Sequence, residues 1–401
     1  MRFLAVCFAA ALLSGQTEMP KYTGPGSCAS PACHGGVQPR VAVNGAGSNI
    51  QQNEYSTWVV KDKHARAFSV LTNPVATRMA RLLNIERADT SQKCLVCHSL
   101  AVADDQRARS FDSSDGVSCE ACHGPASNWL GPHTTKGWTH ERSVAAGMKD
   151  LRDPARRTEN CVSCHLGTAD QAVDHEMIAA GHPDLYFELA SFSSAMPEHW
   201  KPRATQQDPW ADARSLAVGQ AVHLREQLKR VARNAQGPHW PEFSDLDCYA
   251  CHHSLTNAEN SWQQERGYAG RRPGDPPWNM ARFAVLRQIA RDVDGGRELE
   301  TEVNRIYSSV TAMTAGRSQL ATQAIGAAES ANRVAQKLAA EPWDAVRVRR
   351  ILKAISSDAD YISRQGERTA EQAAMALQSL YSALTTQARP ANDAQIRAAL
   401  R

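Results

Sequence analysis

Ten of the eleven cysteines in this chain sit in five pairs, and every pair runs directly into a histidine. The segments are CASPACH from Cys28, CLVCH from Cys94, CEACH from Cys119, CVSCH from Cys161 and CYACH from Cys248. Nothing else in the sequence restricts the fold as strongly, because each clasp forces a short piece of backbone to present two thiols and an imidazole together. An even number of cysteines in an exported chain ordinarily suggests disulfides, but here the spacing repeats and always closes on histidine. A redox dithiol has no need of that histidine. Structural zinc gathers its cysteine pairs in fours, with a different histidine spacing. C-x-x-C-H is the attachment signature of c-type haem: two thiols add across the porphyrin vinyl groups, and the adjacent imidazole supplies the proximal nitrogen to iron. Cys28, Cys33, Cys94, Cys97, Cys119, Cys122, Cys161, Cys164, Cys248 and Cys251 are therefore read as anchors of five covalently attached haem c groups. His34, His98, His123, His165 and His252 are their proximal ligands. The first clasp has four intervening residues, which a bulged loop stiffened by Pro31 can accommodate.

Fourteen histidines less these five leave nine, enough for every iron to have a second imidazole. His133 follows His123 by ten residues and His175 follows His165 by ten, an internal repeat that marks both as distal ligands. At that distance each suits a neighbouring ring better than its own. His64 lies in a segment with helical spacing at Tyr55, Trp58, Val59 and Asp62, which Asn53 can cap and Asn73-Pro74 ends. His182 follows a short helix over 174–180 that Gly181 can terminate, and Pro183 holds the histidine extended. For the fifth iron, His199 is preferred over His253, His239 and His140 because Trp200 beside it can pack on porphyrin. Met177 or Met196 could replace one imidazole, which would raise that iron's potential, although methionines more often fill a core. The alternative for any of these histidines is a solvated surface residue.

The segments STWVVKDKHARAF and GVSCEACHGP, with His133 ten residues beyond His123, and CVSCH resemble the cytochrome c-554 family of multihaem cytochromes over about residues 28–200; HEMIAAGHP is similar to the wider group of such chains. The resemblance implies distal ligation by His64 and His133. It also implies closely stacked haems, in parallel and perpendicular pairs, that carry electrons in the periplasm. Three features depart from the family: the four-residue spacing of the first clasp, the distant fifth clasp DCYACHHSL, and a long cofactor-free tail.

The expected fold is mainly α: a loop-rich multihaem cytochrome domain with short helices, followed by a C-terminal helical bundle. Residues 1–17 have the positive start, apolar stretch and small residues of a signal peptide, with Cys7 inside it. The chain is then periplasmic or otherwise exported after cleavage. Residues 18–266 hold the pentahaem domain, the Gly/Pro-rich 267–279 a linker, and 280–401 a helical domain of three to five antiparallel helices. Apolar residues at 299, 303, 306, 307, 310 and 313 set its period.

The formal net charge of +3 gives no case for nucleic acid, and no apolar run reaches transmembrane length. The partners implied are redox proteins, either other cytochromes or a membrane quinol-linked complex. Two functions compete. One is an electron carrier with mostly bis-histidine haems and no catalytic residues. The other is a reductase or oxidase acting on a small nitrogen or sulfur oxide at one open iron. A third reading, a haem-stapled structural module, ranks last.

Overall fold

The structure is a computed structural model and describes residues 19–40, 50–169, 171–200, 208–252, 275–312, 316–387 and 390–400. The signal-peptide reading of 1–17, most of the proposed linker, and His253 lie outside the described residues. The fold is mainly α. Outside the helices, backbone pairing includes the isolated bridges Tyr22–Arg107 and Leu246–Trp278.

Up to residue 200 the helices are short. They are α1 (Glu54–Lys61), α2 (Pro74–Leu82), α3 (Gln92–His98), α4 (Cys119–His123), α5 (His140–Ala145), α6 (Pro154–His165), α7 (His175–Ala179) and α8 (Leu189–Ala195). Asparagine or aspartate caps start several of them. Asn73 accepts from the Ala76 N–H ahead of Pro74, Asp153 accepts from Ala155, and Asp174 from Met177. Buried apolar clusters in this half are small. One is Leu71, Ala76, Ala80 and Ala88; another, beside His165, is Val162, Leu166, Phe187 and Leu189.

The segment carrying His64 departs from the expected single helix. Helix α1 stops at Lys61, and Asp62 takes an extended backbone with φ −82° and ψ 130°. Its carboxylate accepts from the His64 N–H and opens a separate 3-10 turn, Lys63–Arg66. An aspartate that bonds its own downstream backbone competes with helix continuation. Asn53 makes no side-chain cap at the start of α1.

The large apolar core lies further along. Helix α9 (Ala211–Gln236) is buried on nearly every face, the polar Gln220, His223, Arg225, Gln227 and Arg230 included. It packs on α6 and α8 on one side and on α12 (Arg317–Ala340) on the other. Gly219 is what lets α8 come close, since a Cβ there would lie 2.8 Å from the Leu189 Cβ. Residues of α9, with Leu246 and Trp278, share one continuous core with the C-terminal helices. The core therefore begins at Ala190 and α9, well before the linker proposed from composition.

Between 281 and 399 seven helical segments are described, more than the three to five expected. They are α10 (Ala281–Ala290), α11 (Gly296–Ala312), α12, α13 (Ala345–Ser356), α14 (Ala359–Arg364), α15 (Glu367–Gln387) and α16 (Asp393–Ala399). Local breaks multiply them. Gly295 and Gly366 turn the chain at φ +86° and +98°, and Asp344 starts α13 by accepting from the Arg347 N–H.

Candidate functional site

In a helix, positions i, i+3 and i+4 share one face. A C-x-x-C-H run in helical conformation therefore puts both thiols and the imidazole on the same side. In α3 and α6 the clasp forms the last turn, and α4 is the clasp alone. The clasp at Cys248 begins on a 3-10 turn, with the His252 N–H returning to the Cys248 carbonyl at 2.8 Å. The longer first clasp reaches the same closure. The His34 N–H meets the Cys28 carbonyl at 3.3 Å, and the two extra residues bulge outward, with the Cys33 N–H on the Ser30 carbonyl at 2.8 Å.

No disulfide joins the ten clasp cysteines. The side chains of Cys28 and Cys119 come within hydrogen-bonding reach of each other. Those of Cys97 and Cys164 do the same. The first clasp thus lies beside the third, and the second beside the fourth.

Each clasp histidine faces another histidine. Ring centroids are 6.3 Å apart for His34 and His133, 6.3 Å for His64 and His165, and 6.2 Å for His98 and His182. They are 6.5 Å apart for His123 and His199, and 6.3 Å for His175 and His252. The other aromatic ring pairs among the described residues lie closer, between 4.8 and 5.9 Å. The wider, repeated spacing fits one metal atom between two imidazoles. A metal–nitrogen bond of about 2.0–2.1 Å, plus a ring radius of about 1.1 Å from bonds near 1.33 Å, gives about 6.2–6.4 Å across the pair.

The second ring nitrogen supports the same arrangement. Nδ1 of His98 lies 2.9 Å from the Ala67 carbonyl, that of His133 2.6 Å from the Leu130 carbonyl, and that of His182 2.8 Å from the Pro183 carbonyl. A carbonyl only accepts, so Nδ1 carries the proton and Nε2 keeps its lone pair. His34 and His64 reach carboxylates instead, Glu54 and Asp62, each at 2.9 Å. Metal-bound histidines are oriented in this way. Those carboxylates raise the His34 and His64 ring pKa values through the hydrogen bond. Burial pushes His123 and His165 down to about 4, holding both imidazoles neutral.

None of His140, His223 and His239 joins such a pair among the described residues. His140 Nε2 meets Asp150 at 3.0 Å, and His223 is buried against Arg282. Nor does any group of three or more His, Cys, Asp or Glu converge among the described residues. A protein-only metal site would need one, whereas a porphyrin already supplies four donors. Met177 is buried on α7.

Sequence reasoning passed over Glu54, Asp62 and Glu120. The first two lie three residues after Gln51 and two before His64, with no spacing rule to single them out. Glu120 lies inside the third clasp and is 1 % exposed. Its carboxylate accepts from the N–H groups of Thr23 at 2.9 Å, Gly24 at 2.6 Å and Ala126 at 2.8 Å, tying the N-terminal segment to the clasp. Each buried donor left unpaired costs about 1–3 kcal/mol. Glu120→Ala is expected to destabilise the protein by about 3 kcal/mol or more, with Glu120→Gln in between. Thermal melting of the two variants checks this, and equal melting temperatures with the unaltered protein would refute it.

Residues 31–124 match the family of cytochrome c554 and c-prime. The chain resembles a c-type cytochrome of this family. With that resemblance come covalently bound haem c, iron and electron transfer. The match spans the clasps at 94 and 119 together with His64, and stops before those at 161 and 248. No curated protein and no solved structure matches the chain. Among the described residues, no helix is long and apolar enough to cross a membrane.

Proposed function

We propose that the chain is an exported, periplasmic pentahaem cytochrome that carries electrons between redox proteins, with all five irons bis-histidine. The supporting observation is the set of five histidine pairs at 6.2–6.5 Å, each joining one clasp histidine to one of His64, His133, His175, His182 and His199. Haem c, when bound, supplies reversible one-electron chemistry at iron. The protein's part is to fix both axial imidazoles through their Nδ1 partners and to close the sixth position against small molecules. The contacts between the first and third clasps, and between the second and fourth, favour close spacing of the cofactors. Electrons would be exchanged with other cytochromes or with a membrane quinol-linked complex.

Two measurements on the mature protein test the reading. The pyridine haemochrome should count five haems per chain, and low-temperature EPR of the oxidised protein should show low-spin ferric signals alone. A high-spin ferric signal that shifts on adding nitrite or nitric oxide would move the assignment to an enzyme with one open iron.

A further inference from the structure

A small pocket, about 30 Å³ in volume, lies among Leu166, Asp184, Arg230, Asp245, Arg282 and Arg368. It borders three ligand regions. Leu166 follows His165, Asp184 lies two residues after His182, and Asp245 precedes the clasp at Cys248. Three guanidiniums and two carboxylates face it. Arg230 pairs with Asp245 at 2.9 Å, and both are nearly buried. Arg368, from α15, pairs with Asp184. Among the described residues Arg282 pairs with no carboxylate. It is 8 % exposed, and its donors go to His223 Nε2 at 2.8 Å and the Leu185 carbonyl at 3.0 Å. Burial first, and then Arg282, push the His223 ring well below its usual range, so this imidazole is neutral and offsets nothing. The pocket therefore keeps one surplus positive charge inside the fold. An uncompensated buried charge is strongly unfavourable, and the space suffices for two oxygen-sized atoms by the measure of about 10–15 Å³ per water.

We propose that this pocket binds one oxyanionic group, a carboxylate or its equivalent, against the guanidiniums of Arg282, Arg230 and Arg368. Arg282 is the guanidinium there that pairs with no described carboxylate, and planar guanidinium–carboxylate pairing gives the contact its geometry. Two sources carry that chemistry: a propionate of one of the haems, which rests on the reading above, and a small free oxyanion, which does not.

Redox titration of the full-length, haem-loaded protein distinguishes them, with Arg282→Gln, Arg282→Lys and Arg368→Gln compared at several inorganic phosphate concentrations. If a propionate is bound, Arg282→Gln and Arg368→Gln each lower one midpoint. The reduction equilibrium then moves about tenfold toward ferric, or about 59 mV for a one-electron couple. Arg282→Lys stays near the unaltered protein, and phosphate moves nothing. If a free oxyanion is bound, phosphate shifts one midpoint of the unaltered protein and fails to do so in Arg282→Gln. Midpoints indifferent to both glutamine substitutions and to phosphate would overturn the proposal, and Arg368→Gln decides alone if Arg282→Gln does not fold. A protein without haem would instead sink the cytochrome reading.

Discussion

His199→Gly is expected to open one iron. The oxidised protein should gain a high-spin ferric signal, and the reduced protein should bind one carbon monoxide per chain where the unaltered protein binds none. Added imidazole should reverse both changes. Of the proposed distal ligands, His199 is the one whose removal disturbs least. Among the described residues its Nδ1 meets only the Pro197 carbonyl, at 3.3 Å, and its ring packs edge-on against Trp200 at 4.8 Å. No charge partner is orphaned, so the fold should persist. Opposite it, His123 is neutral and stays on its clasp, leaving a five-coordinate centre. His140→Gly is the control, because His140 faces Asp150 and no second imidazole; it should leave the spin state and carbon monoxide binding unchanged. If His199→Gly stayed fully low-spin and did not bind carbon monoxide, His123 and His199 would not share an iron.

The clasps were legible because their chemistry is local: two thiols and an imidazole must lie within one turn, so the pattern survives in the sequence. Which imidazole faces which clasp is a tertiary matter, and spacing carries little of it. His133 and His175 stand equally far from the preceding clasp histidines, yet His133 lies against His34 and His175 against His252, in opposite reaches of the chain. His64 looked helical from its apolar period, but one aspartate two residues earlier ended the helix and also took hold of the ring. The allegiance of α9 was hidden for a different reason. A helix that buries Arg225, Gln227 and Arg230 along with its apolar residues shows no single core-facing stripe, and this one serves both the clasp helices and the C-terminal helices. Arg230 on α9 reaches the pocket beside three ligand regions, and His223 on α9 accepts from the Arg282 that lines it, only because of that shared position.

The five histidine pairs also differ in how their rings face each other, and this difference should be visible in the EPR spectrum. His34 with His133 and His175 with His252 have ring planes 9° and 27° apart. The other three pairs cross at 85–87°. An imidazole donates through the π orbital normal to its ring. Parallel rings act on the same iron d orbital, split the d-π pair and give a rhombic three-line low-spin signal. Perpendicular rings act on both orbitals alike, leave them nearly degenerate and give one broad feature at low field. Spin counting is therefore expected to assign about three of five centres to the broad class and two to the rhombic class, and five rhombic sets would refute the arrangement. The angles have physical holders. Glu54 fixes His34 through Nδ1 at 2.9 Å, while the Ala67 and Pro183 carbonyls fix His98 and His182. Loss of such an outer partner frees ring orientation and weakens ligand donation. Glu54→Ala should accordingly alter one rhombic signal and lower that centre's affinity for its imidazole, without touching the broad class, because the imidazole Glu54 holds is that of His34, its other oxygen accepting from the Gln51 and Gln52 N–H groups. A change confined to the broad signals would show that the His34 ring is not held by this carboxylate.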